Sequence, residues 1–573
     1  MSALFQFSQR GSIRLLILVL ALSLAQMNYA ASPKPVRGKN GMVVTSHPLA
    51  SKIGSEILKA GGNAVDAAVA VGYALAVVFP TAGNLGGGGF MVIRFPDGSS
   101  TSIDFREKAP MLATRDMYLD STGEIIPDKS TLGYWACGVP GSVAGLNYAL
   151  EKYGTMRLKK VIAPAIEIAS HGFPVSCTFH KNLVFLAPVF KQFPASAKAF
   201  LKQGQPYAEG ELFVQKDLAR TLKRIAKKGT DAFYRGKIAE LIVAEMQKHH
   251  GLITVEDLAA YAPKERPTVT GSYRDYEVIS MGPPSSGGIA IIQLLNILEA
   301  FDLRHSGFNS SRYVHVLAEG LRRVYADRAT YLGDPDFWDV PVQGLISKAY
   351  AEKLREGIDP LCATPSCDIS AGSPQIYESD QTTHYSVIDK NHLAVAVTTT
   401  INSGYGSKVV IEGAGFLMNN EMDDFSAKPN TPNLYGLVGG EANAIAPEKR
   451  MLSSMSPTII ANDGKPFMVL GAMGGSAIIT SVAQCILNVV EHDMNIQEAV
   501  DAPRIHEQWL PDEIVYEERG LAFDVLENLR KMGHTLSETH NYRAEVNAIL
   551  ICPRTSTLYG AADSRYDGCA EAF

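Results

Sequence analysis

Apolar residues recur at helical spacing over Leu49–Ala60 and stop at Gly61-Gly62, so the pattern predicts a helix there. Asn63 suits the N-cap of a second helix, Ala64–Val78, whose small residues are apolar nearly all round and predict burial. The run Gly83-Asn84-Leu85-Gly86-Gly87-Gly88-Gly89 follows, then the strand-like Phe90–Phe95. Asp97-Gly98 turns the chain into a second strand, Thr101–Phe105. Residues 140–350 read mostly as helices with loops, among them Gly282-Pro283-Pro284-Ser285-Ser286-Gly287-Gly288. From 351 to 381 the periodicity is lost and Pro, Ser, Asp and Gly gather, which predicts an exposed linker. Beyond it, His384–Asp389 and Leu393–Thr400 read as strands around Asp389-Lys390-Asn391-His392. Gly415–Met418 is strand-like, and 425–440 is a loop rich in Pro, Asn and Gly. Thr458–Ala461 and Pro466–Gly471 flank a turn at Asn462-Asp463-Gly464, and Gly474-Gly475 opens a helix over Ser476–Glu491. No internal repeat is evident.

The hairpin after the linker carries the first chemical signal. With its turn centred on Asn391, opposed residues have numbers summing to 782, so Thr382 faces Thr400. Asn402 lies two residues on and shares that face. Two hydroxyls and an amide then meet at one sheet edge, although threonine is also simply a good strand former. At Gly474-Gly475, free backbone N–H groups between a strand and a helix suit an anion or oxyanion; a tight turn needs the same glycines. Glu421, Asp423 and Asp424 form either a solvated acidic loop or a seat for a substrate ammonium. Arg106 follows a strand end and either takes a carboxylate bidentately or pairs at the surface with Glu107 or Asp104. Ser453-Ser454 is a weaker signal still. No G-x-S-x-G elbow, H-E-x-x-H, Walker A loop or strict G-x-G-x-x-G is present.

Composition narrows the classes. The chain has 573 residues, 46% hydrophobic and 20% charged, which suits a packed globular protein rather than a disordered one. A net charge of −6 without a long basic run argues against a nucleic-acid partner. At the start, Arg10 and Arg14 precede the apolar run Leu15–Leu22, and Ser23 and Ala25, or Ala30 and Ala31, offer cleavage sites. That is a secretory signal peptide, too short for a membrane span, and no stretch elsewhere suits one. The expected location is the periplasm or the exterior. Seven cysteines leave at least one unpaired within the chain. Cys362 and Cys367 sit in a loop-like segment where a short disulfide fits, while Cys485 reads as a buried thiol. Neither zinc spacing nor C-x-x-C appears, and His249-His250 reads as a solvated helix end.

Read in order, these segments resemble the γ-glutamyltranspeptidases, members of the N-terminal nucleophile hydrolases, from about Gly38 to the C-terminus. The most specific piece is Gln381-Thr382-Thr383-His384-Tyr385-Ser386. Gly61–Ala67, Gly83–Gly89, Phe105-Arg106-Glu107, Met422-Asp423-Asp424-Phe425, Leu452–Pro457 and Gly474-Gly475-Ser476 also fit.

The resemblance implies an α/β fold, a four-layer αββα sandwich. It implies a precursor that cuts itself between Gln381 and Thr382 into a large subunit (31–381, after a signal of about 1–30) and a small one (382–573), intertwined in one fold. By the same resemblance Thr382 is the nucleophile and Thr400 orients it. Gly474 and Gly475 form the oxyanion hole. Arg106, Ser453 and Ser454 hold the substrate α-carboxylate, and Asn402, Glu421 and Asp424 hold its α-ammonium. Residues 429–440, with Tyr435, match a lid loop that some bacterial relatives lack. Some bacterial relatives carry glutamine where this chain has Glu421. The implied substrates are glutathione and other γ-glutamyl compounds, with water, amino acids or peptides as acceptors; no metal or other cofactor is implied. Two neighbouring readings are a cephalosporin or glutaryl acylase of the same superfamily and a non-catalytic periplasmic binding protein.

Overall fold

Fourteen strands form two antiparallel sheets that lie face to face between helices. The structure is a computed structural model describing residues 32–373, 383–429, 431–539 and 544–573. The expected signal segment, Gln381 and Thr382 lie outside the described residues. In chain order the strands are β1 (Val36–Gly38), β2 (Gly41–Thr45), β3 (Gly88–Arg94), β4 (Ser100–Asp104), β5 (Lys264–Arg266), β6 (Val269–Tyr273) and β7 (Tyr276–Ser280). The remainder are β8 (Thr383–Asp389), β9 (Ala394–Thr400), β10 (Thr458–Asn462), β11 (Lys465–Met473), β12 (Glu545–Ile551), β13 (Leu558–Ala562) and β14 (Cys569–Ala572). The first sheet runs β14-β2-β8-β9-β3-β4-β5 and the second β1-β13-β12-β11-β10-β7-β6.

Strand alternation produces the layers. Met42, Val44, Ala394 and Ala396 of the first sheet meet Ile459, Val469 and Ile549 of the second in the inner core. The intervening Val43, Val395 and Val397 face the helices α1 (Pro48–Lys59), α2 (Ala64–Val78) and α3 (Leu158–His171). On the far side Ile460, Leu470 and Ala548 pack on α4 (Gly287–Leu298), α5 (Ser311–Tyr331) and α6 (Ala477–Val490). The fold is the expected αββα sandwich. Both faces of the central strands are dry, which is why they read as apolar runs rather than alternations.

Several expected elements stand where the patterns put them. Helix α2 is buried throughout, and Asn63 and Asp66 form a capping box at its start. Strands β8 and β9 pair from Thr383↔Thr399 to Ile388↔Ala394, each pair summing to 782.

Other expectations need correction. The mostly helical reading of 140–350 passed over β5, β6 and β7; β6 is a short, half-exposed edge strand with Gly271 and Ser272 at its centre. Strands β1, β2, β12, β13 and β14 also went unread. Gly415–Met418 makes only isolated bridges, Val410↔Leu417 and Gly86↔Met418. The linker is not free in solvent over its described length. A helix continues to Glu356, Thr364 and Gly372 donate their N–H groups to Glu319 and Asp327, and Ser366 donates to Asp512. Cys485 is buried within α6 as expected, whereas Cys362 and Cys367 are exposed free thiols with no disulfide between them.

Candidate active site

The glycine run before β3 is shaped by the neighbouring strand. A Cβ at Gly87 would lie 2.0 Å from the Thr400 carbonyl oxygen, and one at Gly89 2.4 Å from that of Thr398. Asn84 fixes the contact: its Nδ2 donates to the Thr400 carbonyl (2.8 Å), and its Oδ1 accepts from Gly87 N (3.0 Å) and Ser142 Oγ (2.6 Å). Asn84 therefore positions the end of β9, a role that sequence reading missed. The Thr400 hydroxyl accepts from Asn402 N at 2.6 Å and also hydrogen-bonds Glu421. Asn402 sits at φ +67°, donates through Nδ2 to the Asn420 carbonyl, and keeps a buried Oδ1 with no protein partner among the described residues.

Beyond this strand end the acidic turn Glu421–Asp424 is buried, not a solvated loop. Arg106 is fully buried too, so it is not a surface ion pair. Its Nη1 lies 2.6 Å from Glu421 Oε2 and 3.5 Å from Glu107 Oε2, and its Nη2 2.6 Å from Asp424 Oδ2. Nε and Nη2 also donate to the carbonyls of Met451 and Leu452, which lead into Ser453 and Ser454, both buried. Ser454 Oγ has no protein partner among the described residues. Burial opposes the arginine charge, but Glu421, Glu107 and Asp424 outweigh it and hold the guanidinium above its ordinary range. Burial, then repulsion from Glu421, pushes Glu107 well up, and burial raises Glu421 as well. One cation thus faces three carboxyls out of water. A zwitterion, with its own carboxylate and ammonium, fits that charge pattern.

Gly474 and Gly475 follow β11 at φ +135° and +67°, conformations natural to glycine, and lead into α6. Both line a cleft of about 720 Å³ together with Asn402, Leu434, Tyr435 and Gly436. Asn402 thus joins the buried charge cluster to the open cleft. The loop expected as a lid is tied down at Asp423, whose carboxylate accepts from Leu434 N (3.0 Å) and Ser130 Oγ (2.6 Å). On β8, His384 is wholly buried, with Nδ1 3.0 Å from Thr398 Oγ1 of β9 and Nε2 2.8 Å from Ser386 Oγ. Burial lowers its pKa to about 3, so it stays neutral. Every expected site residue outside 381–382 falls around this strand end, the acidic turn or the cleft.

The family model described as Gamma-glutamyltranspeptidase matches residues 50–573. The chain is 52% identical over 532 residues to a glutathione hydrolase proenzyme of Escherichia coli (strain K12), spanning 93% of this chain and 91% of that protein. Among solved structures, a cephalosporin acylase from Bacillus halodurans superposes with a TM-score of 0.84 at 28% identity, over 96% of this chain and 98% of its own. A Helicobacter pylori gamma-glutamyltranspeptidase chain aligns at 48% identity and TM-score 0.57, covering 60% of this chain and 97% of its own.

Proposed function

The chain belongs to the gamma-glutamyltranspeptidase family, and from that premise we propose that it is exported, cuts itself between Gln381 and Thr382, and transfers γ-glutamyl groups from glutathione and related amides to water, amino acids or peptides. The observation that carries this reading is the buried Arg106 guanidinium set between Glu421 and Asp424. It lies at the end of the hairpin whose register runs toward residue 382. The α-carboxylate of a γ-glutamyl donor takes Arg106, Ser453 and Ser454. Its α-ammonium takes Glu421, Asp424 and Asn402 Oδ1.

The chemistry follows from the chain's own groups. A threonine hydroxyl needs a base to take its proton. Cleavage frees the Thr382 α-amine, with a reference pKa of ~7.7–8.0, and makes it that base. Thr382 Oγ1 attacks the γ-carbonyl while Thr400 holds it in line. The N–H groups of Gly474 and Gly475 receive the oxyanion, and the leaving amine takes the proton. The acceptor then repeats the sequence in reverse. Relatives include an acylase of the same fold, so the fold does not separate glutamyl from glutaryl donors; the Arg106–Asp424 pair favours an amino acid.

The test is mass spectrometry of purified protein, with paired assays on γ-glutamyl and glutaryl anilides. We expect two chains meeting at 381/382 and a strong γ-glutamyl preference. Thr382→Ala should stay one chain and be inactive, Thr382→Ser should cut slowly, and Thr400→Ala should lose turnover by ~10²-fold through misorientation. A Thr382→Ala protein that still splits there, or still turns over, refutes the mechanism.

A further inference from the structure

A hydrogen-bonded chain crosses the cleft from the glycine turn to the lid, through residues to which the acyl-transfer reading gives no role. At one end, Ser476 follows Gly475 directly. Its carbonyl accepts from Tyr325 OH at 2.5 Å, and its Oγ lies 3.3 Å from His506 Nε2. The other ring nitrogen, Nδ1, lies 3.2 Å from Thr480 Oγ1 on the first turns of α6. His506 Nε2 is 2.8 Å from Gln508 Oε1. The Gln508 amide nitrogen faces the carbonyls of Tyr435 (3.3 Å) and Leu510 (3.2 Å). Carbonyl oxygens only accept, so the amide nitrogen belongs on that side and Oε1 faces the histidine. It follows that His506 carries its proton on Nε2, toward Gln508, while Thr480 Oγ1, beside Nδ1, donates to the Ala477 carbonyl at 2.9 Å. Burial holds the His506 pKa to about 4, so the ring stays neutral at neutral pH.

The lid end is equally close. Gly436 takes φ +74°, and a Cβ there would sit 3.1 Å from Gln508 Nε2. The neighbouring Leu434 N is held by Asp423, next to Asp424 in the acidic turn. Two adjacent lid residues are thus fastened to opposite walls, one beside the ammonium seat and one toward the glycine turn.

We propose that Gln508 and His506 are positioning residues that tie the lid at Tyr435 to the Gly474-Gly475 turn, so that lid placement and the aim of the oxyanion donors are set together. The proposal rests on the acyl-transfer reading above. Its consequence is that loosening the lid at Gln508 weakens stabilisation of the tetrahedral intermediate, where a simple cover would change only access. Among the described residues, His506 acts through the side chains of Ser476 and Thr480, and Gln508 through the main chain of Tyr435.

The experiment uses the cleaved two-chain enzyme with Gln508→Leu, His506→Phe and the double variant. Three quantities are read: kcat and KM for a γ-glutamyl anilide, inhibition by a glutamate analogue bearing a boronic acid at the γ position, and melting temperature. Boronate forms a tetrahedral anion on the nucleophile and so reports on the oxyanion donors. Each single variant should lose roughly tenfold in kcat and a similar factor in boronate affinity, short of the ~10²–10³ for deleting a donor. KM should change by no more than about twofold, and the double variant should be no worse than the poorer single, because both break one chain. Boronate affinity unchanged in Gln508→Leu, or losses that multiply in the double variant, overturn the proposal. A variant that fails to fold shows itself in the melting temperature, and Gln508→Glu, which keeps the histidine link and breaks only the lid link, then decides: unchanged boronate affinity overturns the coupling. An unsubstituted enzyme that releases no amine from the anilide refutes the acyl-transfer reading instead.

Discussion

Asp424 places one carboxylate oxygen 2.6 Å from Arg106 Nη2 in a site closed to water. The same carboxylate is the proposed partner of a donor's α-ammonium, and losing one charge of a buried pair costs ~3–5 kcal/mol. Asp424→Asn should therefore weaken γ-glutamyl turnover while sparing glutaryl donors, which carry no ammonium. The ratio of the two rates checks it, and an undiminished ratio would contradict the assignment. At this scale the sequence left alternatives that only distance resolves. Arg106 had Asp104 and Glu107 as near neighbours in the chain, yet Asp104 is taken by Arg266 at 2.7 Å and Arg450 at 3.3 Å. The arginine's close partners lie more than 300 residues away. Nothing in the local pattern around residue 106 reports that. The same holds for Asn84, legible only as one polar residue in a glycine run until its amide is seen on the Thr400 carbonyl.

The hairpin β8–β9 and helix α2 were legible because each carries its own punctuation, a polar turn in one and an N-cap in the other. The edge strands were not: β6 and β14 are four or five residues long and owe their conformation to the neighbour they pair with. The glycine run shows what element-level reading gains from contact geometry. Gly87 is needed because the Thr400 carbonyl comes within 2.0 Å of where a Cβ would stand, with Asn84 Oδ1 at 2.7 Å. Gly87→Ala must push the end of β9 aside, an overpacking cost of ~1–3 kcal/mol. It also displaces Thr400, and a shift of about 1 Å costs ~10²-fold in rate. Lower melting temperature and lower kcat should appear together, as read by calorimetry and the anilide assay. A variant with native turnover would show that the loop does not position Thr400.

Across the whole molecule, buried titratable groups set the response to acid. Burial lowers His47 and His506 to about 4 and His384 and His534 to about 3. A histidine held neutral contributes fully above its unfolded pKa of 6.5 and loses that contribution as pH falls toward the folded value, ~3 kcal/mol for His506 by pH 4. Glu545, raised to about 7, and Asp327, raised to about 6, act in the opposite sense. They weigh against folding at neutral pH, and the burden lifts as they protonate. Four histidines oppose two carboxyls from pH 6.5 to 4.5, so melting temperature should fall steadily as pH drops through that window and go on falling toward pH 3. A melting temperature that held level down to pH 4.5 would contradict this balance. The second consequence concerns the proposed cut. In the first sheet, β8, β9 and β14 come from beyond residue 382 and interleave with β2, β3, β4 and β5 from before it. In the second, β10 to β13 lie between β1 on one side and β7 and β6 on the other. Strand pairs β14–β2, β2–β8, β9–β3, β1–β13 and β10–β7 all join the two segments. Neither segment owns a complete sheet, and the inner core draws Met42, Val44 and Phe90 from one and Ile459, Val469 and Ile549 from the other. A cut at 381/382 therefore removes one covalent bond and leaves every layer shared. The two chains should co-elute at nanomolar dilution, melt in a single transition, and separate only in denaturant. Size exclusion with scanning calorimetry checks this, and a free chain released by dilution, or two resolved transitions, would show that the halves fold independently.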